Sequence, residues 1–257
     1  LMARKTKIER FNEKVLSRFQ IYNSLFLTLP FKTIKQTSLL MPLFAEHCRI
    51  EYEKNSNPTE ILKSFFSQYA PDLKPQEEQD LLFNFIQYIE RQVVLFDAIE
   101  DAGFSYVNNM HGRGTIRSIK EEASNKQLET ELIDYIKRFK VRIVLTAHPT
   151  QFYPDNVLVI INELSKSIAQ DDLDNIKKLL VQLGKTPFYK KEKPSPYEEA
   201  VSLIWFLENI FYHSASTIYN YIDEHIINSE DLNNSIFDFG FWPGGDRDGN
   251  PFVTPEI

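Results

Sequence analysis

The sequence has little cysteine, no long hydrophobic run and no excess of positive charge. A single cysteine, Cys48, excludes an internal disulfide and a cysteine pair at a metal site, which favours a reducing cytoplasm. No apolar run approaches the ~20 residues that cross a bilayer. The first five residues, Leu-Met-Ala-Arg-Lys, also lack the apolar core of a signal peptide. The sequence therefore predicts a soluble, cytoplasmic protein without a membrane partner.

The net charge is −7 and the pI is about 5.4, which argues against nucleic acid as the main partner but leaves small anions as ligands. There is no internal repeat, no low-complexity segment and no Ser-His-Asp, zinc or Walker pattern. Hydrophobic residues make up 42% of the chain, which is ample for a packed core. We expect a globular protein whose helices share one body.

Apolar residues recur at spacings of three and four, so most of the chain is predicted to be helical. One long helix is expected after Pro75, ending near Gly103. Its apolar stripe consists of Leu82, Phe85, Ile86, Ile89, Val93 and Phe96. An N-cap followed by proline predicts two further helix starts, at Asn57 and at Ser195.

The helix that begins at Ser195 is expected to continue through Ile222, with an apolar middle sandwiched between neighbours. The segment 185–194, bounded by Gly184 and two prolines, is predicted to be a loop. His213 is interpreted as a core or interface residue, whereas His47 and His225 are interpreted as helix-surface residues.

Two short strings each follow a strand-like run. The string Thr-Ala-His-Pro-Thr-Gln at 146–151 follows the apolar run 141–145. The string Gly-Gly-Asp-Arg-Asp-Gly-Asn-Pro at 244–251 follows the run 237–241. Enzymes of the α/β class keep their chemistry where strands end in loops. Both strings are therefore candidate site segments.

His148 is the first titratable residue after the apolar run 141–145. Pro149 disfavours helical geometry at His148, so the imidazole is expected on a stiff, extended segment. A histidine can exchange a proton near neutral pH or, as imidazolium, stabilise a developing anion. A hydrogen bond within a strand-to-loop turn is an equally open interpretation of this local context.

In the glycine-rich string, Arg247 offers a planar fork for a carboxylate or phosphate, flanked by Asp246 and Asp248. A self-satisfied turn is the alternative. The alternate spacing of Asp246 and Asp248 resembles the start of an EF-hand calcium loop. Pro251 and Ile257, however, occupy the positions where that loop requires glycine and glutamate. The glycine-flanked Arg113 is interpreted as part of an ordinary turn before a helix at Ile116.

Together, the two strings, their order and the proline-led helix between them resemble phosphoenolpyruvate carboxylase, over most of the chain beyond about Arg91. The resemblance implies a mainly α fold with long helices around a few short parallel strands, the N-terminal part of an incomplete α/β (TIM-like) barrel. Residues 1–140 would form a helical region, and residues 141–257 the first barrel strands and helices.

The chemistry implied by the resemblance is a biotin-free carboxylation. Bicarbonate attacks phosphoenolpyruvate to give carboxyphosphate and the enolate of pyruvate, which captures carbon dioxide to form oxaloacetate. His148 matches the family's catalytic histidine. The enolate is held by Mg²⁺ or Mn²⁺, whose ligands would lie outside this chain, so no metal ligand is assigned here. The full-length enzyme is expected to be a homo-oligomer.

The chain departs from the family pattern after the histidine string. Many members carry an arginine pair where this chain has Pro154 and Asp155. In plant-type members that pair helps to bind activating sugar phosphates, so we do not expect this activation here. Pro154 and Asp155 instead fit the first turn of a helix.

The chain stops at Ile257 directly after Thr254-Pro255-Glu256, which has the form of a helix start. We therefore expect a single N-terminal fragment, 1–257, of a longer enzyme that is inactive by itself. The alternative hypothesis is a non-catalytic helical scaffold or regulatory interaction module.

Overall fold

The computed structural model describes residues 5–29, 37–146, 153, 155–188, 195–227, 236–245 and 251–256. Over these residues the protein is mainly helical, with two short parallel strands, as the sequence predicts. None of the described helices is long and apolar enough to cross a bilayer.

The chain forms two compact units that alternate along the sequence. The first unit comprises Leu1–Asn108 and Tyr153–Phe188, and the second comprises Asn109–Phe152 and Tyr189–Ile257. The predicted division of the longer enzyme at residue 140 stays a prediction.

The described part of the first unit consists of helices joined by turns and contains no strand. Its α-helices are α1 (Lys7–Phe11), α2 (Ser17–Thr28), α3 (Thr37–Glu53), α4 (Pro58–Tyr69), α5 (Pro75–Val107), α8 (Asp155–Ala169) and α9 (Leu173–Lys185), and a π-helical turn (Asn12–Leu16) joins the first two. Helix α4 begins at the predicted N-cap, because the Asn57 side chain accepts from the Glu60 amide at 3.0 Å and the Glu60 carboxylate accepts from the Asn57 amide at 3.1 Å. Helix α8 begins at Asp155, as expected.

Helix α5 is the centre of the first unit, but its buried side differs from the predicted stripe. Of the predicted stripe, Phe85 is buried and Leu82 and Phe96 pack against the core, whereas Ile86, Ile89 and Val93 are exposed. The buried residues of the helix are Leu81, Phe85, Tyr88, Arg91, Val94, Leu95, Ala98, Ile99, Gly103 and Val107. Gly103 does not end the helix. It lies inside the helix, where an added Cβ would be 3.2 Å from Val15 Cγ2, so its missing side chain permits close packing.

His47 is buried, contrary to the sequence interpretation. Its Nε2 lies 2.8 Å from the Ser64 hydroxyl, and its ring packs against Phe65 and Tyr69. A histidine on the apolar side of α3 is thus satisfied by one hydroxyl of α4 and sits in an aromatic cluster.

The second unit contains both strands. Its elements are α6 (Ile116–Asn125), α7 (Glu129–Arg138), β1 (Val141–Leu145), α10 (Pro196–Phe206), a π-helical segment (Leu207–Phe211), α11 (Tyr212–His225) and β2 (Phe237–Phe241). Ile222, Ile227 and Ile236 are the buried members of a small core that also includes Ile116 of α6 and Ile136 of α7.

The helix that begins at Ser195 is continuous to His225, as predicted, with the π-helical segment in its middle. Its Ser195 capping box forms, with the Glu198 carboxylate 2.7 Å from the Ser195 amide. The expected sandwich around its apolar middle is not observed in the described residues, since Ile204, Trp205 and Ile210 are exposed. His213 is exposed as well, so it is not a core residue here.

Candidate active site

The two strands form a parallel pair. Their register aligns Val141 with Phe237 and Leu145 with Phe241, so both strands end at the same edge. The Trp242 amide donates to the Leu145 carbonyl at 2.9 Å and extends the pairing beyond β2. The two candidate strings therefore leave the sheet from one edge, where α/β enzymes place their reactive groups.

A tight turn follows β2 and sets the start of the glycine-rich string. The Gly245 amide donates to the Trp242 carbonyl at 2.8 Å, and Gly244 has φ of 79°. With Pro243 at the second position, this matches a type II turn, which requires positive φ at its third residue. An added Cβ on Gly245 would lie 3.0 Å from the Trp242 ring. Gly244 therefore supplies the positive φ of the turn, and Gly245 permits the close approach to Trp242.

Four predicted site residues lie outside the described residues: His148, Asp246, Arg247 and Asp248. The structure brings together the positions from which their strings begin, Thr146 after β1 and Trp242 after β2. The roles of the four residues stay predictions.

Tyr153, five positions after His148, is the first residue after Thr146 that the structure describes. Within the first unit, the Tyr153 hydroxyl lies 3.5 Å from Asp97 Oδ2, and its ring meets Phe188 edge to face at 6.1 Å. Burial, and then the nearby Asp97, raise the pKa of Tyr153, and burial followed by Glu100 raises the pKa of Asp97. This anchor was not anticipated from the sequence, because no local signal links two residues that lie 56 positions apart.

Arg91 of α5 forms hydrogen bonds with the C-terminal end of α9. Its guanidinium donates to the Leu183 carbonyl at 3.1 Å, the Thr186 carbonyl at 2.8 Å and the Gln87 carbonyl at 2.8 Å. Its Cζ also lies 4.8 Å from the Phe188 ring centroid. At the end of α9, Arg91 therefore donates to the Thr186 carbonyl and adds a second donor to the Leu183 carbonyl, which also accepts from the Thr186 amide at 3.3 Å.

Arg113 lies in a turn, as predicted. The Gly112 amide donates to Asn109, the Thr115 amide donates to Gly112, and the Thr115 hydroxyl caps α6 by accepting from the Ser118 amide at 3.2 Å. Among the described residues, no group of three His, Cys, Asp or Glu side chains is arranged to hold a metal ion.

These observations define a mainly helical protein with one described pair of parallel strands. The two candidate strings follow these strands at the same edge of the sheet. The sequence model of the family described as phosphoenolpyruvate carboxylase matches residues 76–257, which include both strands and both strings. The chain belongs to the phosphoenolpyruvate carboxylase family.

Individual relatives agree with this assignment. Phosphoenolpyruvate carboxylase 1 of Chlamydomonas reinhardtii is 25% identical over 214 residues, which cover 74% of this chain and 22% of the relative. The carboxylase of Histophilus somni (strain 2336) is 30% identical over 142 residues, covering 49% of this chain and 16% of the relative. That of Vibrio vulnificus (strain YJ016) is 31% identical over 138 residues, covering 48% and 16%. The chain thus spans about a fifth or less of these relatives.

Proposed function

We propose that this chain acts as the N-terminal part of a longer phosphoenolpyruvate carboxylase, a carboxy-lyase that makes oxaloacetate and phosphate from phosphoenolpyruvate and bicarbonate. The observation that carries the proposal is the parallel pairing of β1 and β2, because it starts both motif strings at one sheet edge inside the family match. The supply of oxaloacetate to the tricarboxylic acid cycle would be the outcome of this carbon dioxide fixation.

In the first half-reaction, a bicarbonate oxygen attacks the phosphorus of phosphoenolpyruvate and the bond to the enol oxygen breaks. Carboxyphosphate and the pyruvate enolate result. In the second, the carboxyphosphate loses its proton and separates into carbon dioxide and phosphate, and the enolate carbon attacks the carbon dioxide. We assign His148 to that proton and to the charge that develops as the anhydride breaks. Arg247, held by Asp246 and Asp248, would hold an anionic group.

We further propose that β1 and β2 are early strands of an α/β barrel completed in the longer enzyme. Val144, Phe239 and Phe241 are exposed on these strands. Parallel sheets normally have both faces covered, so uncovered apolar side chains on a parallel pair favour a larger sheet. The ligands for Mg²⁺ or Mn²⁺ are proposed to lie outside this chain, and the described residues offer no fitting set. Homo-oligomer formation and a cytoplasmic location remain expectations.

The role of His148 is tested in the longer enzyme with His148→Asn. We expect oxaloacetate formation to fall by about a hundredfold or more, because general acid–base groups contribute about that much. Bicarbonate-dependent formation of pyruvate from phosphoenolpyruvate should fall less, since the pyruvate enolate forms in the step before the one assigned to His148. His213→Asn, at an exposed histidine, is the control and should leave both rates unchanged. Equal losses of both products in the His148 variant would contradict the assignment.

The chain alone is proposed to be inactive. A coupled assay for oxaloacetate with the purified chain, phosphoenolpyruvate, bicarbonate and Mg²⁺ should give no signal above a protein-free blank. A signal that His148→Asn abolishes would refute this part of the proposal.

A further inference from the structure

A groove between α6 and α11, within the second unit, presents basic side chains in an otherwise acidic protein. Its volume is about 530 Å³, in the range of small-molecule sites. Its main lining residues are Arg117, Lys120, Glu121 and Ser124 from α6, with Tyr221 and His225 from α11. Residues three and four apart share one helix face, so the groove uses one face of each helix.

The two walls of the groove are joined by the core of the second unit. Ile116 at the start of α6 packs in the same cluster as Ile222, which is 1% exposed and adjoins Tyr221. Thr115 caps α6 through the Ser118 amide. The groove is therefore built on packed helices rather than on loops, which favours a defined geometry.

The two permanent cations in the groove lack the carboxylate partner that a nearby lysine outside the groove has. Among the described residues, Arg117 and Lys120 have no carboxylate at salt-bridge distance, whereas Lys126, the C-cap residue of α6, contacts Glu122 at 2.6 Å. The Arg117 Cζ lies 5.9 Å from the Tyr221 ring centroid. The Tyr221 ring in turn meets His225 edge-on at 4.5 Å. Arg117 is thus held by an aromatic ring that leaves its N–H groups available.

Two carboxylates reduce the positive charge of the groove. Glu121 lines it, and Glu224 Oε2 lies 3.9 Å from His225 Nε2. A ligand with a single negative charge gains little against the Glu121 carboxylate. A dianion interacts more strongly with the two permanent cations, so the charge balance favours a doubly charged group.

We propose that this groove binds the phosphoryl group of a small organic phosphate. The Arg117 fork can donate to two phosphoryl oxygens, and the Lys120 ammonium and Ser124 hydroxyl supply further donors. A phosphoryl group has three oxygens for these donors, whereas a carboxylate has two. The proposal is independent of the proposed carboxylation.

The test is isothermal titration of the purified chain with inorganic phosphate at constant ionic strength. The unaltered chain should bind phosphate saturably, with one site. Arg117→Gln and Lys120→Gln should each weaken binding about tenfold, because each removes a charge-assisted hydrogen bond. Lys126→Gln removes the same charge from the C-cap position of α6, outside the groove, and should change the affinity less than twofold. Glu121→Gln should strengthen binding about threefold.

Far-UV circular dichroism of each variant verifies the fold, and the gain expected for Glu121→Gln cannot come from unfolding. Equal weakening by Lys126→Gln and Lys120→Gln would overturn the proposal, because it would indicate unspecific charge attraction. Malonate binding as tightly as phosphate would overturn the phosphoryl assignment in favour of a carboxylate site. The absence of saturable phosphate binding would overturn it altogether.

Discussion

The two units differ in how completely they bury their apolar side chains. In the first unit, Phe26, Leu95, Leu164 and Leu180 are at most 1% exposed and share one core with many neighbours. In the described part of the second unit, aromatic side chains such as Phe241 and Trp242 remain about half exposed. Both units expose some apolar side chains, including Phe83 and Ile89 in the first, but the first unit has a much more extensive packed core than the described part of the second.

The largest effect is expected from a substitution in the core of the first unit. Leu180→Ala should lower the free energy of unfolding of the first unit by about 3 to 4 kcal/mol, because it removes a fully buried side chain and leaves a cavity. Val144→Ala, at a residue of β1 that is 47% exposed, should cost less than about 1 kcal/mol. Urea unfolding followed by circular dichroism measures both. Similar losses at the two positions would contradict the difference between the units.

A smaller effect is expected from the buried guanidinium of the first unit. Arg91→Met keeps the length of the side chain but removes the guanidinium donor of the Thr186 carbonyl and one of the two donors of the Leu183 carbonyl, which also accepts from the Thr186 amide. We expect a loss of about 2 kcal/mol, the usual cost of buried groups left unsatisfied. In the second unit, Arg138→Met removes an exposed side chain that donates to the Asp134 carbonyl of its own helix and should cost less than about 0.5 kcal/mol. Equal effects in urea unfolding would show that Arg91 is not a structural anchor.

The smallest effect concerns pH. Burial, followed by the charge of Glu100, raises the pKa of Asp97 above its usual value, so the ionised form costs folding free energy. This cost is absent below the usual carboxyl pKa and is fully present once the pH exceeds the raised pKa. Asp97→Asn should therefore raise the melting temperature at pH 7, and the gain should shrink as the pH falls towards the usual carboxyl pKa. Asp134→Asn, at an exposed carboxylate of the second unit, should show no such trend. A constant difference across this pH range would contradict the burial argument.

Local signals in the sequence predicted the elements that depend on local chemistry. The two strands were expected at 141–145 and 237–241 and lie there. The helix starts at Asn57 and Ser195 were also predicted, and at each of them a capping box closes within four residues. Such features depend on contacts between chain neighbours, which the sequence displays directly.

Features that depend on distant partners were missed. The Leu183 and Thr186 carbonyls that Arg91 contacts lie more than ninety residues further along the chain, and Gly103 packs against Val15, which lies much earlier in the sequence. The buried side of α5 was assigned only partly correctly. Apolar residues at helical spacing occur on more than one side of this helix, and the sequence does not show which side contacts neighbouring helices. Tyr153 and the groove at Arg117 were overlooked for the same reason. Of the candidate site, the sequence indicates the strings, and only the strand register shows that they start at one edge.

Hydrogen–deuterium exchange of the purified chain, read by peptide mass spectrometry, tests the difference between the units most directly. The amides of Val94–Ile99 in α5 should stay protected for about a hundredfold longer than those of β1 and β2, because a parallel pair with exposed faces opens at low cost. That result would support a well-packed core in the first unit and, in the second unit, a strand pair that further strands stabilise in the longer enzyme. Equal protection of β1, β2 and α5 would contradict the account, because it would show that the second unit is complete as it stands.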